Sequence, residues 1–123
     1  MRSSSAKAKG RRLQDWVVTW LRDLFGFKPE DCKPAIMGET GEDVKLASSS
    51  RERFPYSVEC KNVEKLNIWS ALEQCEQNAP ADTQPVVFFR RNRSKTYAVV
   101  EASHFMTLAY YMDQHNHCDQ PHG

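Results

Sequence analysis

The chain has 123 residues, which fits one compact domain with a single core. Apolar residues make up 40% of it, but no apolar run approaches the roughly 18 residues of a membrane span, so a soluble, cytoplasmic protein without a membrane partner is expected. The formal net charge of +1 excludes a strongly polyanionic or polycationic chain and leaves the distribution of charge as the useful signal.

Met1–Lys9 is basic and Ser-rich with no apolar stretch behind it, which reads as a disordered leader-less end rather than a secretory signal. From Leu13 the apolar positions Leu13, Trp16, Val17, Trp20, Leu21, Leu24 and Phe25 repeat at helical spacing, and Gly26 is a natural stop. Pro29 and Pro34 mark a connection. Residues 35–47 read as one strand, or two short ones around Gly38–Gly41. Ser48–Arg51 reads as a polar turn and Tyr56–Asn62 as the next strand. Residues 67–79 return to helical spacing through Ile68, Ala71, Leu72, Cys75 and Ala79. Val86–Phe89 suits a buried strand, Arg91–Lys95 a turn and Tyr97–Val100 the return strand of a hairpin. Ser103 is placed to cap a last helix over Phe105–Met112, with a disordered tail from Asp113. The pattern predicts an α/β fold with a mixed sheet flanked by helices, in the order α-β-β-β-α-β-β-α, occupying residues 10–112 between tails 1–9 and 113–123.

The four cysteines, Cys32, Cys60, Cys75 and Cys118, form no C-x-x-C pair. Neither a zinc knuckle nor a disulfide framework follows, and they are expected as reduced thiols in or near the core.

Chemistry concentrates in Gly41-Glu42-Asp43-Val44 and Val58-Glu59-Cys60-Lys61-Asn62. On an extended strand Glu59 and Lys61 share one face, while Val58 and Cys60 share the other. Asp43 begins the preceding strand. If the two strands are neighbours, Asp43 and Glu59 converge. Two carboxylates suit a hard cation such as Mg²⁺, which takes oxygen ligands and keeps several waters. Such an ion polarises a phosphoryl oxygen and activates water, and Lys61 is a preorganised cation for the charge that develops. A salt-bridge ladder on a strand would present the same acid-x-Lys triplet.

The Asp43…Glu59-Cys60-Lys61 pattern resembles the PD-(D/E)XK nuclease superfamily, in particular its Holliday-junction-resolvase-like, phage-encoded branch. The resemblance spans about residues 9–105: a first helix opened by Lys9-Gly10, Gly-Glu-Asp-Val, Val-Glu-Cys-Lys-Asn, a helix carrying Gln74, then a strand pair. It implies a restriction-endonuclease-like core and metal-dependent DNA cleavage, with Mg²⁺ (or Mn²⁺) held by Asp43, Glu59 and the backbone carbonyl of Cys60. Lys61 would be the catalytic lysine. It also implies a homodimer in a cytoplasm, that of the host if phage-encoded, with no small-molecule cofactor. Where the family often has a first-helix glutamate, this chain has Gln14, about 80° from the centre of the apolar face and so at the rim of the core. Gln74 borders the apolar side of its helix, whereas Gln77 points away. Both glutamines are therefore placed with the catalytic set. The residue before Asp43 is Glu42 rather than proline, and Glu39 and Glu42 are spare acids near the site.

For DNA contact the basic residues Lys9, Arg11 and Arg12 at one end and Arg90, Arg91, Arg93 and Lys95 at the hairpin are candidates, joined by Asn62, Lys65 and Asn67 after the catalytic strand. No base-reading module is recognisable, which favours recognition of a branch or flap over a sequence. Trp69, Tyr110 and Tyr111 are expected in the core, with a dimer contact as the alternative. His104 is expected at a helix start. His115-Asn116-His117-Cys118, with His122, could hold a transition metal, but a loose tail is the simpler reading. Competing functions are a general or repair nuclease of the same fold and a catalytically silent nucleic-acid-binding module.

Overall fold

The structure is a computed structural model that describes residues 4–118. Helix α1 (Ser4–Phe25) leads through a 3-10 turn (Pro29–Asp31) to strands β1 (Cys32–Pro34) and β2 (Val44–Leu46), a short helix α2 (Ser48–Arg53) and strand β3 (Tyr56–Asn62). Helix α3 (Ile68–Asn78), strands β4 (Gln84–Arg90) and β5 (Tyr97–Val99) and helix α4 (Ala102–Cys118) complete it. The fold is α/β with a mixed sheet: β3 and β4 run parallel, β5 returns antiparallel, and β1–β2 form a separate antiparallel ribbon.

Two helices sandwich the parallel pair because the strand alternates. Val58 and Cys60 pack with Leu13, Val17, Val18 and Leu21 of α1, while Val87 on the opposite face packs with Ala71 and Cys75 of α3. The ribbon joins the main sheet through one backbone hydrogen bond, from the Asp43 N–H to the Val58 carbonyl (2.9 Å). Gly26, at φ +70°, ends α1 by donating to the Arg22 carbonyl, in a conformation that disfavours other residues.

Several expectations are corrected. Ser4–Lys9 is helical rather than disordered: Ala6, Lys7, Ala8 and Lys9 are good helix formers, and the turn is tied down where Asn62 Nδ2 donates to the Lys9 carbonyl. The buried stripe of α1 includes Val18 and leaves Trp16, Trp20 and Leu24 exposed, which turns the face toward Gln14. The first strand lies earlier, at Cys32–Pro34, and residues 35–43 form a loop. Ser48–Arg53 is a helix, not a turn, because Arg51 bonds back to the Tyr56 carbonyl and to Glu42. The observed order is therefore α-β-β-α-β-α-β-β-α. Helix α4 begins at Ala102, with the Glu101 carbonyl accepting from His104 and Phe105, so Ser103 lies inside its first turn. Asp113–Cys118 is helical, with an i,i+4 contact between His117 and Asp113 (3.3 Å). Residues 119–123, His122 among them, lie outside the described residues. Trp69, Tyr110 and Tyr111 are all exposed instead of in the core. Among the described residues no helix is long and apolar enough to cross a membrane.

Asn67 caps α3, its Oδ1 accepting from the Ser70 N–H (3.1 Å). Asn67→Ala is expected to lower stability by about 1 kcal/mol and Asn67→Asp to leave it nearly unchanged, as read by denaturant unfolding.

Candidate active site

The site forms where β3, the end of the ribbon loop and two helices meet. Strand alternation puts Glu59 and Lys61 on the α3 side of β3, and α3 brings Gln74 over them. Lys61 Nζ lies 3.4 Å from Glu59 Oε1 and donates to Gln74 Oε1 at 2.9 Å. Glu59 is buried, at 4% exposure, which is uncommon for a carboxylate without a cation beside it. The ammonium is thus held from two elements, with its position set by packed backbone and not by a flexible loop.

Asp43 reaches the same place from the other side. Its Oδ2 accepts from the Cys60 N–H at 2.7 Å, so the side chain continues the ladder that its own N–H begins at Val58. Gln14 of α1 also hydrogen-bonds the carboxylate. Burial lifts the Asp43 carboxyl above its ordinary 3.8, against the lowering pull of the Cys60 N–H, Lys61, Gln14 and Lys45. Desolvation therefore outweighs four favourable partners. A cation beside this carboxylate would offset that cost.

Asp43, Glu59, Cys60, Lys61, Gln14 and Gln74 all line one pocket of about 580 Å³. Lys7, Gly10 and Arg11 of α1 and the loop Ala35–Glu39 form the rest of its wall. Sequence reading missed Lys7 and Gly10. The signal was present, since positions 7, 10, 11 and 14 share a helix face once α1 is extended backwards. The loop carries no pattern of its own.

The remaining candidates separate. Arg11 is at the pocket and Arg12 is exposed outside it. Lys9 contacts Glu64 (3.6 Å). Asn62 is buried and committed to the Lys9 carbonyl, which makes it a structural tie. Asn67 caps α3, and Lys65 lines a shallower depression beside Lys61 and Gln74. Arg90 stacks over Trp16 (5.8 Å) on the α1 side, while Arg91, Arg93 and Lys95 stand exposed on the hairpin. Glu42 turns away from the pocket to pair with Arg51, and Glu39 accepts from the Ile36 N–H at the pocket's edge. His104 sits in the first turn of α4 with its Nε2 2.6 Å from the Tyr56 hydroxyl.

Among the described residues no cluster of three or more His, Cys, Asp or Glu side chains forms a ready metal cage. What the pocket offers is an all-oxygen donor set: Asp43, Glu59, the Cys60 carbonyl and the Gln14 amide. That composition fits Mg²⁺, which is usually held by one or two carboxylates and completes its shell with water, and does not fit a thiolate or imidazole metal. Cys60 and Cys75 are not placed as ligands: Cys60 packs in the core with α1, and the Cys75 thiol donates to the Ser57 and Val86 carbonyls.

No protein-family description, curated protein or solved structure matches the chain. The functional reading accordingly rests on the residues and their geometry.

Proposed function

We propose that this protein is a metal-dependent DNA endonuclease of the PD-(D/E)XK type, with a restriction-endonuclease-like core, that cuts branched DNA such as a four-way junction. The observation that supports it most is the meeting in one pocket of two carboxylates, Asp43 and Glu59, with an ammonium, Lys61, anchored by Glu59 and Gln74. A salt-bridge ladder would not need Asp43 to arrive from a separate ribbon or Gln14 to arrive from α1.

In this reading Asp43, Glu59 and the Cys60 carbonyl hold Mg²⁺, with Mn²⁺ able to replace it. When bound, the ion polarises a phosphoryl oxygen and makes a water easier to deprotonate. Lys61 is fixed before substrate arrives, so it stabilises charge developing on the phosphoryl group without reorganising. Gln74 keeps that ammonium oriented. Gln14 steadies Asp43 from the α1 side and can hold a water. Lys7 and Arg11 at the rim attract phosphates, and Arg91, Arg93 and Lys95 extend the basic surface along the hairpin. None of these contacts reads bases, which agrees with selection by branch geometry. Paired incisions at a junction call for two copies of the site, hence a homodimer.

The test is cleavage of end-labelled four-way junction, flap, linear duplex and single-stranded DNA, with Mg²⁺ or EDTA. Mg²⁺-dependent symmetric cuts in the junction are expected. Equal cutting of linear duplex would replace the junction assignment by a general or repair nuclease. Tight binding without cutting in either Mg²⁺ or Mn²⁺ would identify a silent DNA-binding module.

A further inference from the structure

A second pocket, of about 330 Å³, lies just past the carboxyl ends of the parallel strands β3 and β4, a position where open α/β sheets commonly bind ligands. Val63, Leu66, Phe89 and Tyr97 give it apolar and aromatic walls, and Arg91 and Ser94 stand at its edge. Tyr97 and Phe89 stack, with centroids 5.8 Å apart and planes inclined by 29°. Phe89 is half-buried against the α3 core, whereas Tyr97 is 54% exposed, so a stacked aromatic pair presents an outer ring to solvent.

The pocket is built and not a loose crease. The hairpin turn is pinned to the segment after β3 where the Asn92 N–H donates to Glu64 Oε2 (2.7 Å), and Glu64 in turn meets Lys9. The turn is closed by the Arg91 N–H donating to Ser94 Oγ (3.0 Å), with Arg93 in the left-handed region at φ 64°. Arg91 is thereby held at its mouth, where its guanidinium matches a phosphate of a bound group.

Its place relative to Lys61 is fixed by register. Lys61 pairs with Phe89 and Phe89 with Tyr97, so the three side chains form one row across the sheet. Two strand spacings separate Lys61 from Tyr97, about 10 Å. That is about three nucleotide steps at the B-form rise, and fewer in a stretched strand. The depression beside Lys65 shares Lys61 and Gln74 with the catalytic pocket and Val63 and Leu66 with this one, which makes the three a continuous track.

We infer that this pocket takes an unpaired nucleotide of the DNA substrate, its base stacked on Tyr97 and its phosphate against Arg91. The inference rests on the endonuclease reading and adds to it a physical basis for choosing branched DNA: a paired base cannot leave its stack for Tyr97 without a cost that an unpaired base escapes. Glu64 at the wall adds an acceptor for an exocyclic amine and disfavours a bare phosphate inside the pocket.

The experiment uses a duplex carrying a single bulged 2-aminopurine and the same duplex fully paired, with Ca²⁺ replacing Mg²⁺ to hold back cutting. Wild-type protein is expected to quench the bulged base and to bind the bulged duplex about tenfold to a hundredfold more tightly than the paired one. Tyr97→Ala should lose both the quench and the preference, and Tyr97→Phe should keep them. Tyr97 is half exposed, so circular dichroism of the alanine variant should match wild type. A preference and quench that survive Tyr97→Ala, or wild-type binding with no quench, would overturn the inference. Cleavage of the bulged duplex in Mg²⁺ is scored separately. Cutting without a quench removes the nucleotide pocket and keeps the nuclease, whereas a Tyr97-dependent quench without cutting keeps the pocket and removes the nuclease. Absence of any DNA binding removes both.

Discussion

Lys61→Ala is expected to lower Mg²⁺-dependent cleavage by about 10²–10³-fold, the usual penalty for removing one preorganised group that meets charge in the transition state. The variant should still fold, since Lys61 belongs to neither apolar core cluster. Withdrawing the ammonium removes one partner from buried Glu59, which is expected to cost about 1–3 kcal/mol of stability. Lys61→Arg should not restore activity. A planar guanidinium on a longer stem does not put its donors where the compact Lys61 ammonium meets Glu59 and Gln74. Single-turnover cleavage of the preferred substrate, with Kd measured in Ca²⁺, checks the point: the loss should fall on the chemical step, with affinity changed severalfold at most. A variant that cuts at the wild-type rate would reduce Lys61 to a member of a surface salt bridge.

Asp43→Asn should abolish cleavage to a similar degree and, at neutral pH, stabilise the metal-free protein. The sign follows from Asp43's raised carboxyl. The folded state takes up the proton more readily than the unfolded one, so stability falls as pH rises through the interval above 3.8 and stays low at neutral pH. Asparagine has no charge to desolvate and keeps an oxygen for the Cys60 N–H. Its stabilising effect should therefore be present at neutral pH and vanish as the pH drops below 3.8, where the wild-type carboxyl is protonated in both states. Thermal melts of both proteins in EDTA across this range test it. Mg²⁺ added at neutral pH should raise the melting temperature of the wild type and raise that of Asp43→Asn far less, because one of the two carboxylate ligands is gone. A variant less stable than wild type throughout would mean that the hydrogen bond to Cys60, and not desolvation, dominates at Asp43.

The core of the candidate site was legible because it depends on short-range geometry. Alternation along Tyr56–Asn62 is enough to set Glu59 and Lys61 against Val58 and Cys60, and helical angles are enough to choose Gln14 over Asp15 and Gln74 over Gln77. The parts that were not legible depend on contacts far apart in sequence. Nothing local in Ser48–Arg53 announces a helix; it exists because Arg51 finds Glu42 and the Tyr56 carbonyl. Pro29 ahead of Cys32–Pro34 and Pro34 at its end disguise a strand that pairs with Val44–Leu46 across a nine-residue loop. Asn62 looked free to meet a phosphate and instead anchors α1. Asn67 could have been recognised, since an asparagine just before an apolar helical repeat is a capping signal. Trp16 and Trp20 show the limit of periodicity: the spacing finds the helix, but the neighbouring β-branched Val18 takes the buried seat.

Among the described residues, three buried thiols give the molecule internal timers. Cys32, Cys60 and Cys75 are each at most 7% exposed, and burial raises the thiol pKa of all three. Thiolate is the reactive form. An alkylating reagent therefore meets them chiefly when the surrounding structure opens, and with Cys118 replaced by serine the labelling rate of each reports one boundary. Cys32 reports separation of α1 from the ribbon, and Cys75 separation of α3 from the sheet. Cys60 lies between Glu59 and Lys61 with its side chain under α1, so its modification counts the moments when the catalytic strand itself loses its cover.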